Sequence, residues 1–90
     1  DLVMTPTAPT AAFKIGEKSN DPISMYLSDI FTIPANIAGI PGMAVPAGFT
    51  PGGLPVGMQL LAPAFKEEIL FQFAHAFEQK TNVYKQRPKL

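Results

Sequence analysis

One acidic side chain, Asp29, has neighbours whose spacing could give it a chemical role. Met25, Asp29, Thr32 and Asn36 repeat at helical intervals beside an apolar stripe, although Pro34 disturbs the register before Asn36. A carboxylate in such a line can hold a substrate ammonium through a charge-assisted hydrogen bond if it points into a cleft. The same spacing also describes a solvated helix face. Periodicity alone leaves both interpretations open.

The other potentially reactive side chains fit structural roles. His75 is the single histidine, and it falls opposite the apolar stripe of its helix, so we interpret it as solvated. Two adjacent acids open that helix and complement its dipole. Three threonines lie near prolines without an identifiable general base, which is typical of turns rather than nucleophiles. These residues are Glu67 and Glu68, and Thr5, Thr7 and Thr10.

The glycine-rich segment at residues 52–57 has the composition of a phosphate loop but not its sequence. It reads GGLPVG, and no Lys-Ser or Lys-Thr pair follows it. The segment also lacks a following helix whose N-terminus would hold the anion. We therefore interpret residues 52–57 as part of a hairpin turn.

The composition is that of one small globular unit. The 90 residues are 47% hydrophobic and 16% charged, and seven basic residues balance seven acidic ones, which argues against nucleic-acid binding. Cysteine is absent, which excludes disulfides and fits a reducing compartment. No apolar run approaches the roughly 20 residues that span a bilayer. Because the chain starts at Asp1 without a signal sequence, we expect residues 1–90 to be one segment excised from a longer product.

Proline and glycine mark the limits of a predicted first helix. Asp21 and Pro22 predict its start, because the carboxylate can accept a free backbone N–H and proline tolerates the first turn. Pro34 predicts its end near residue 33. A further turn over residues 34–38 would be capped by Gly39. The first helix should bury one apolar stripe, namely Ile23, Tyr26, Leu27, Ile30 and Phe31.

Three strands are also predicted. A short buried strand at residues 2–4 should end at Pro6, because proline cannot donate to a continuing ladder. Residues 42–48 and 54–62 predict a hairpin whose link is residues 49–53. The second strand should place Val56, Met58 and Leu60 on one face, and Pro55, Gly57, Gln59 and Leu61 on the other. We therefore expect both faces of that strand to be partly covered.

The clearest predicted element is a helix over residues 66–80. Its apolar residues form one stripe, and the tail at 83–90 should lie at the surface or be loosely ordered. The resulting order is strand, helix, strand, strand, helix, without an internal repeat, which is an α/β arrangement. The residues of the stripe are Ile69, Leu70, Phe73, Ala74 and Phe77.

Four stretches of sequence together resemble a known family. They resemble the C-terminal part of the A subunits of glutamyl-tRNA(Gln) amidotransferases, which belong to the amidase signature family. The pieces PTAP, PGMAVP and GLPVGMQ fit amidases generally, whereas YLSDIFT points to the tRNA-dependent enzymes. The four stretches are DLVMTPTAPT (1–10), DPISMYLSDIFTIPAN (21–36), AGIPGMAVP (38–46) and GLPVGMQLL (53–61).

The resemblance implies a fold, a reaction and one site residue. The fold would be an α/β/α sandwich around a mixed sheet, to which this segment adds strands and covering helices. The reaction would be glutamine hydrolysis by a serine nucleophile, activated through a second serine and a lysine that all lie N-terminal to this region. No catalytic residue is therefore expected here, and the segment alone should be inactive. Asp29 matches the aspartate that holds the α-ammonium of glutamine in the family.

The resemblance also implies partners and a location. The ammonia would pass to a B subunit, which uses ATP and magnesium to amidate Glu-tRNA(Gln), with a C subunit completing a cytoplasmic heterotrimer. No metal site and no membrane association are expected for this segment. Two positions depart from the family pattern: Ala47 stands where cysteine is common, and Lys66 stands where an acid often caps the helix. We expect that helix to begin without a side-chain cap.

Two alternative functions remain open at this point. The chain could be a segment of another amidase-signature hydrolase that acts on a different amide. It could also be a non-catalytic piece that serves folding or subunit contact, because so many apolar residues in a short chain are expected to leave sheet edges and helix faces uncovered.

Overall fold

The computed structural model describes residues 1–88, which form strands and helices in the α/β class that the sequence predicts. Within these residues, every helix is too short or too polar to cross a membrane. The elements are β1 (Val3–Pro6), α1 (Pro22–Leu27), α2 (Ile33–Ala38), β2 (Gly42–Phe49), β3 (Pro55–Leu61), α3 (Glu67–Thr81) and a 3-10 turn at Val83–Lys85.

The three strands form an antiparallel sheet in the order β1-β3-β2. The predicted first strand is present, but it is not buried as expected, because it lies at a sheet edge with Val3 and Met4 more than half exposed. The prolines occupy positions where a missing N–H is tolerated: Pro6 ends an edge strand, Pro46 lies within the other edge strand, and Pro55 is the first residue of β3. The β2–β3 register shifts between Pro46 and Gly48, which marks a bulge at Ala47. The central strand therefore pairs on both sides.

The link between β2 and β3 is the predicted hairpin. The Thr50 backbone N–H donates to the Leu54 carbonyl oxygen at 2.8 Å, and the Leu54 N–H donates to Thr50 Oγ1 at 3.1 Å. Gly53 has a φ of 92°, a conformation that glycine adopts without strain. Residues 52–54 complete the turn and residues 55–57 begin β3, so the interpretation of GGLPVG as part of a hairpin, and not a phosphate loop, is confirmed.

Helix α3 packs on one face of the sheet and builds the core. Leu60, the central residue, has no exposed surface, and the predicted α3 stripe contributes two buried and three half-buried side chains. Lys66 gives α3 no side-chain cap, as expected. The buried cluster consists of Val45, Met58, Leu60, Ala62, Leu70 and Ala74.

The prediction of a long first helix with a buried stripe is wrong. Helix α1 has six residues and buries none of them; Ile23 and Tyr26 are each 72% exposed. After Leu27 the backbone makes three successive i to i−3 hydrogen bonds, each 3.2 Å long and ending at Ile30. Because this tighter winding has about three residues per turn, Ile30 and Phe31 do not continue the apolar stripe of the preceding helix. The second helix, α2, contains Pro34 in its first turn and ends at Gly39, with a φ of 71°, as the sequence predicted.

The C-terminal tail is more ordered than expected. The 3-10 turn at Val83–Lys85 packs against β2, and Val83 and Tyr84 are half-buried. Residues 86–88 are exposed. The remainder of the predicted loose tail, residues 89 and 90, lies outside the described residues.

The chain exposes more surface than a self-contained domain of its size. Its accessible area is 6662 Å², against about 5100 Å² expected for a folded monomer of this mass. The molecule is a slab of 40 × 33 × 15 Å, little thicker than one sheet and one helix layer. Large apolar side chains lie open on this slab, among them Ile15, Ile37 and Phe65. Such surfaces need a covering partner.

We expect the isolated 90-residue chain to associate with itself. The reason is the exposed apolar surface, together with the outer edges of β1 and β2, which pair with no further strand among residues 1–88. Sedimentation velocity should give an apparent mass that rises with protein concentration. A monomer at all concentrations, with a sharp melt that does not depend on concentration, would contradict this expectation.

Candidate functional site

Asp29 lies in the turn between α1 and α2 and not on a helix face. Its N–H donates to the Tyr26 carbonyl oxygen at 3.2 Å, and its carbonyl oxygen accepts from the N–H groups of Thr32 and Ile33, also at 3.2 Å. The helical spacing that linked Asp29 to its polar neighbours is therefore interrupted. The backbone of Asp29 is instead fixed by hydrogen bonds on both sides.

The Asp29 side chain is available to a ligand. Asp29 is exposed, and within residues 1–88 the carboxylates that accept hydrogen bonds are those of Glu17 and Asp21. A carboxylate on a fixed backbone, without an internal partner in the described part of the chain, can pair with an external cation at little cost in conformational rearrangement.

Both short helices that flank the turn have fixed ends. The Asp21 Oδ1 accepts a hydrogen bond from the Ser24 N–H at 3.1 Å and caps α1, as the sequence predicted. At the far end of α2, the Gly39 N–H donates to the Ala35 carbonyl oxygen at 2.9 Å. These caps limit how far the turn that carries Asp29 can shift.

The turn is also joined to the sheet by a buried amide, Gln59. This β3 residue is 7% exposed, and its Nε2 donates to the Phe31 carbonyl oxygen at 2.7 Å and to Thr5 Oγ1 at 3.1 Å. Strand alternation places Gln59 on the face opposite the α3 core. The sequence pattern predicted that Gln59 lies on one face of a strand, but it did not indicate a functional role. The available signal was a single amide within the apolar run VGMQLL, because a buried polar group needs a partner.

The other sequence candidates keep structural roles. His75 is exposed on α3, as interpreted, and the first turn of α3 contains Glu67 and Glu68. Thr5 accepts the hydrogen bond from Gln59, whereas Thr7 Oγ1 is buried without a hydrogen-bond partner in residues 1–88. Across that same range, no three histidine, cysteine or acidic side chains come together as a metal site would need.

An apolar cleft of about 680 Å³ runs between residues 6–12 and the sheet. It is lined mainly by proline, alanine and valine residues, together with Thr7 and Thr10. Asp29 is not among its lining residues, so the described residues do not enclose Asp29 in this cleft. A pocket around the carboxylate would require walls from elsewhere.

Comparison with known proteins places this arrangement in a family. The family model described as Amidase matches residues 1–71. The chain belongs to the amidase family. Its closely similar relatives are A subunits of glutamyl-tRNA(Gln) amidotransferases: it is 61% identical to that of Carboxydothermus hydrogenoformans and 56% identical to that of Gloeothece citriformis, each over all 90 residues.

Two solved structures share the fold. The A subunit of the Thermotoga maritima glutamyl-tRNA(Gln) amidotransferase superposes with a TM-score of 0.82 at 51% identity, over 88% of this chain and 17% of that one. The 6-aminohexanoate cyclic dimer hydrolase superposes with a TM-score of 0.86 at 29% identity, over 99% of this chain and 21% of that one. The chain spans 18% and 19% of the two curated relatives above, about a fifth of their length.

We expect Asp29→Asn to leave the stability of the fold unchanged. An exposed side chain without an internal partner contributes within about 0.5 kcal/mol, whereas Asp21→Ala removes an N-cap and should cost about 0.5–2 kcal/mol. Thermal unfolding of the two variants and the unmodified chain, at one fixed protein concentration, gives the comparison. A midpoint for Asp29→Asn as low as that for Asp21→Ala would show that the Asp29 carboxylate is part of the scaffold.

Proposed function

We propose that this segment belongs to the glutamine-hydrolysing subunit of a tRNA-dependent amidotransferase. The whole subunit would hydrolyse glutamine, and the ammonia would convert Glu-tRNA(Gln) to Gln-tRNA(Gln). The observation that carries the proposal is the 61% and 56% identity, over the full chain, to A subunits named for that complex. An exposed carboxylate on a fixed turn, at the position that the sequence motif YLSDIFT indicates, supports it further.

Within this function, Asp29 binds the α-ammonium of glutamine. A charge-assisted hydrogen bond from that ammonium orients the side-chain amide toward the nucleophile. It also favours glutamine over amides that lack the ammonium, since those leave the carboxylate unpaired in the closed site. The nucleophilic serine, its serine partner and the lysine would come from outside these 90 residues, so the isolated segment is inactive.

The remaining steps belong to partner subunits in this proposal. A B subunit would use ATP and magnesium to amidate Glu-tRNA(Gln), a C subunit would complete the complex, and the complex would work in the cytoplasm. The glycine-rich stretch of this segment gives no support for an ATP site here, because residues 52–54 form a turn and residues 55–57 begin β3, whereas a phosphate loop leads into a helix N-terminus. No step of the amidation is therefore assigned to this chain.

A second candidate is hydrolysis of another amide. The superposition on 6-aminohexanoate cyclic dimer hydrolase, with a TM-score of 0.86, favours it. In that case Asp29 would have no ammonium to bind. A third reading, in which the segment only supports folding or subunit contact, draws on its exposed apolar faces.

We expect Asp29→Asn to impair glutamine turnover selectively. In the full-length subunit assembled with its partners, kcat/KM for glutamine should fall about 10- to 100-fold, because a hydrogen bond between two charged groups is lost. Ammonia release from glutaramate, which is glutamine without the α-amino group, should not fall, because the variant no longer leaves an unpaired carboxylate beside this substrate. Asp21→Asn serves as the matched control. It removes a carboxylate charge from the same segment, and asparagine can still cap helix α1 as Asp21 does.

The outcomes separate the candidates. Loss on glutamine alone supports the amidotransferase role. Equal activity of the variant and the unmodified enzyme on both amides would show that Asp29 is a solvated residue without a role in binding. That result would favour a different amide substrate or a scaffold role for the segment. Equal loss on both amides would overturn the assignment of Asp29 to the α-ammonium.

A further inference from the structure

We propose that Gln59 is a positioning residue that holds the turn bearing Asp29 in its ligand-binding geometry. The inference rests on the proposed function of Asp29 and adds a second residue, in a different element, to glutamine recognition. Gln59 does not contact the ligand in this account. It acts through the backbone of the α1–α2 turn.

The hydrogen-bond chemistry of Gln59 is fully determined by its neighbours. The Phe31 carbonyl oxygen can only accept, so the amide nitrogen of Gln59 must face it. The second amide proton goes to Thr5 Oγ1, whose own O–H donates to the Pro6 carbonyl oxygen at 3.0 Å. Both protons of the buried amide are therefore used, and the chain of bonds ends on the backbone of β1.

The link to Asp29 passes through a single peptide unit. The peptide between Phe31 and Thr32 accepts from Gln59 at its carbonyl oxygen, at 2.7 Å. The N–H of the same peptide donates to the Asp29 carbonyl oxygen at 3.2 Å. Peptide units are planar and rigid, so a shift at one end moves the other. Gln59 thus restrains Asp29 across one peptide and one hydrogen bond.

The local hydrogen bonds and caps fix the shape of the turn, but they do not join it to the sheet. Helix α1 buries no residue, and α2 buries only Ala35. Among residues 1–88, the side-chain hydrogen bonds that join distant parts of the chain are the two made by Gln59; the others connect residues no more than four apart. The sheet carries much of the buried core, and the Gln59 amide donates the side-chain hydrogen bond that joins it to the turn.

The proposal predicts a selective loss of glutamine affinity in Gln59→Leu, which keeps approximate size and removes both donors. In the full-length assembled enzyme, KM for glutamine should rise about tenfold, with kcat within about twofold, because a misplacement near 1 Å is enough for such effects. The kcat/KM for glutaramate should stay within about twofold, since this substrate makes no use of Asp29. Gln72→Leu, at an exposed position of α3, is the matched control and should change neither value.

Two further variants keep the test decisive if Gln59→Leu folds poorly. Gln59→Glu preserves shape but turns an oxygen toward the Phe31 carbonyl, and it should reproduce the glutamine-specific rise in KM. Thr5→Val removes one acceptor and leaves the Phe31 bond, so its effect should be smaller than that of Gln59→Leu. Equal loss of glutamine and glutaramate turnover in all of these variants would overturn the proposal and make Gln59 a general scaffold residue.

A double-variant cycle separates this inference from the proposed function. In an Asp29→Asn background, Gln59→Leu should add no further rise in the glutamine KM, because its effect passes through the missing carboxylate. If Asp29→Asn impairs glutamine use and Gln59→Leu does not, only the positioning role fails. If Asp29→Asn has no effect, the function assigned to Asp29 fails first, and the positioning role fails with it.

Discussion

The buried amide of Gln59 organises the part of the molecule that carries Asp29. It sits on the central strand, where pairing on both sides fixes the backbone, and its two hydrogen bonds reach an edge strand and the α1–α2 turn. Leaving such an amide unpaired would cost about 1–3 kcal/mol, so the structure favours the arrangement that satisfies it. The two helices beside the turn bury too little apolar surface to set its position alone.

The elements defined by local chemistry could be predicted from the sequence. The hairpin, the cap at Asp21, the left-handed Gly39 and helix α3 each depend on residues close together in the chain, and all are confirmed. The first helix was predicted too long because apolar spacing does not reveal that the backbone tightens after Leu27. The contact between Gln59 and Phe31 joins residues 28 positions apart, and no local pattern encodes it.

The exposed surfaces and the family relationship both favour a site that other residues complete. A slab 15 Å thick with exposed apolar side chains requires material on its outer faces, and the relatives are about five times longer than this chain. Asp29 is likewise exposed and outside the apolar cleft. The proposed glutamine site would therefore be completed by walls that residues 1–88 do not supply.

The most direct test is a crystal structure of the full-length subunit with glutamine bound. We expect an Asp29 carboxylate oxygen at about 2.7–3.2 Å from the α-ammonium nitrogen, with Gln59 still bonded to the Phe31 carbonyl oxygen. A bound glutamine whose α-ammonium pairs with a different group, while Asp29 faces solvent, would contradict it.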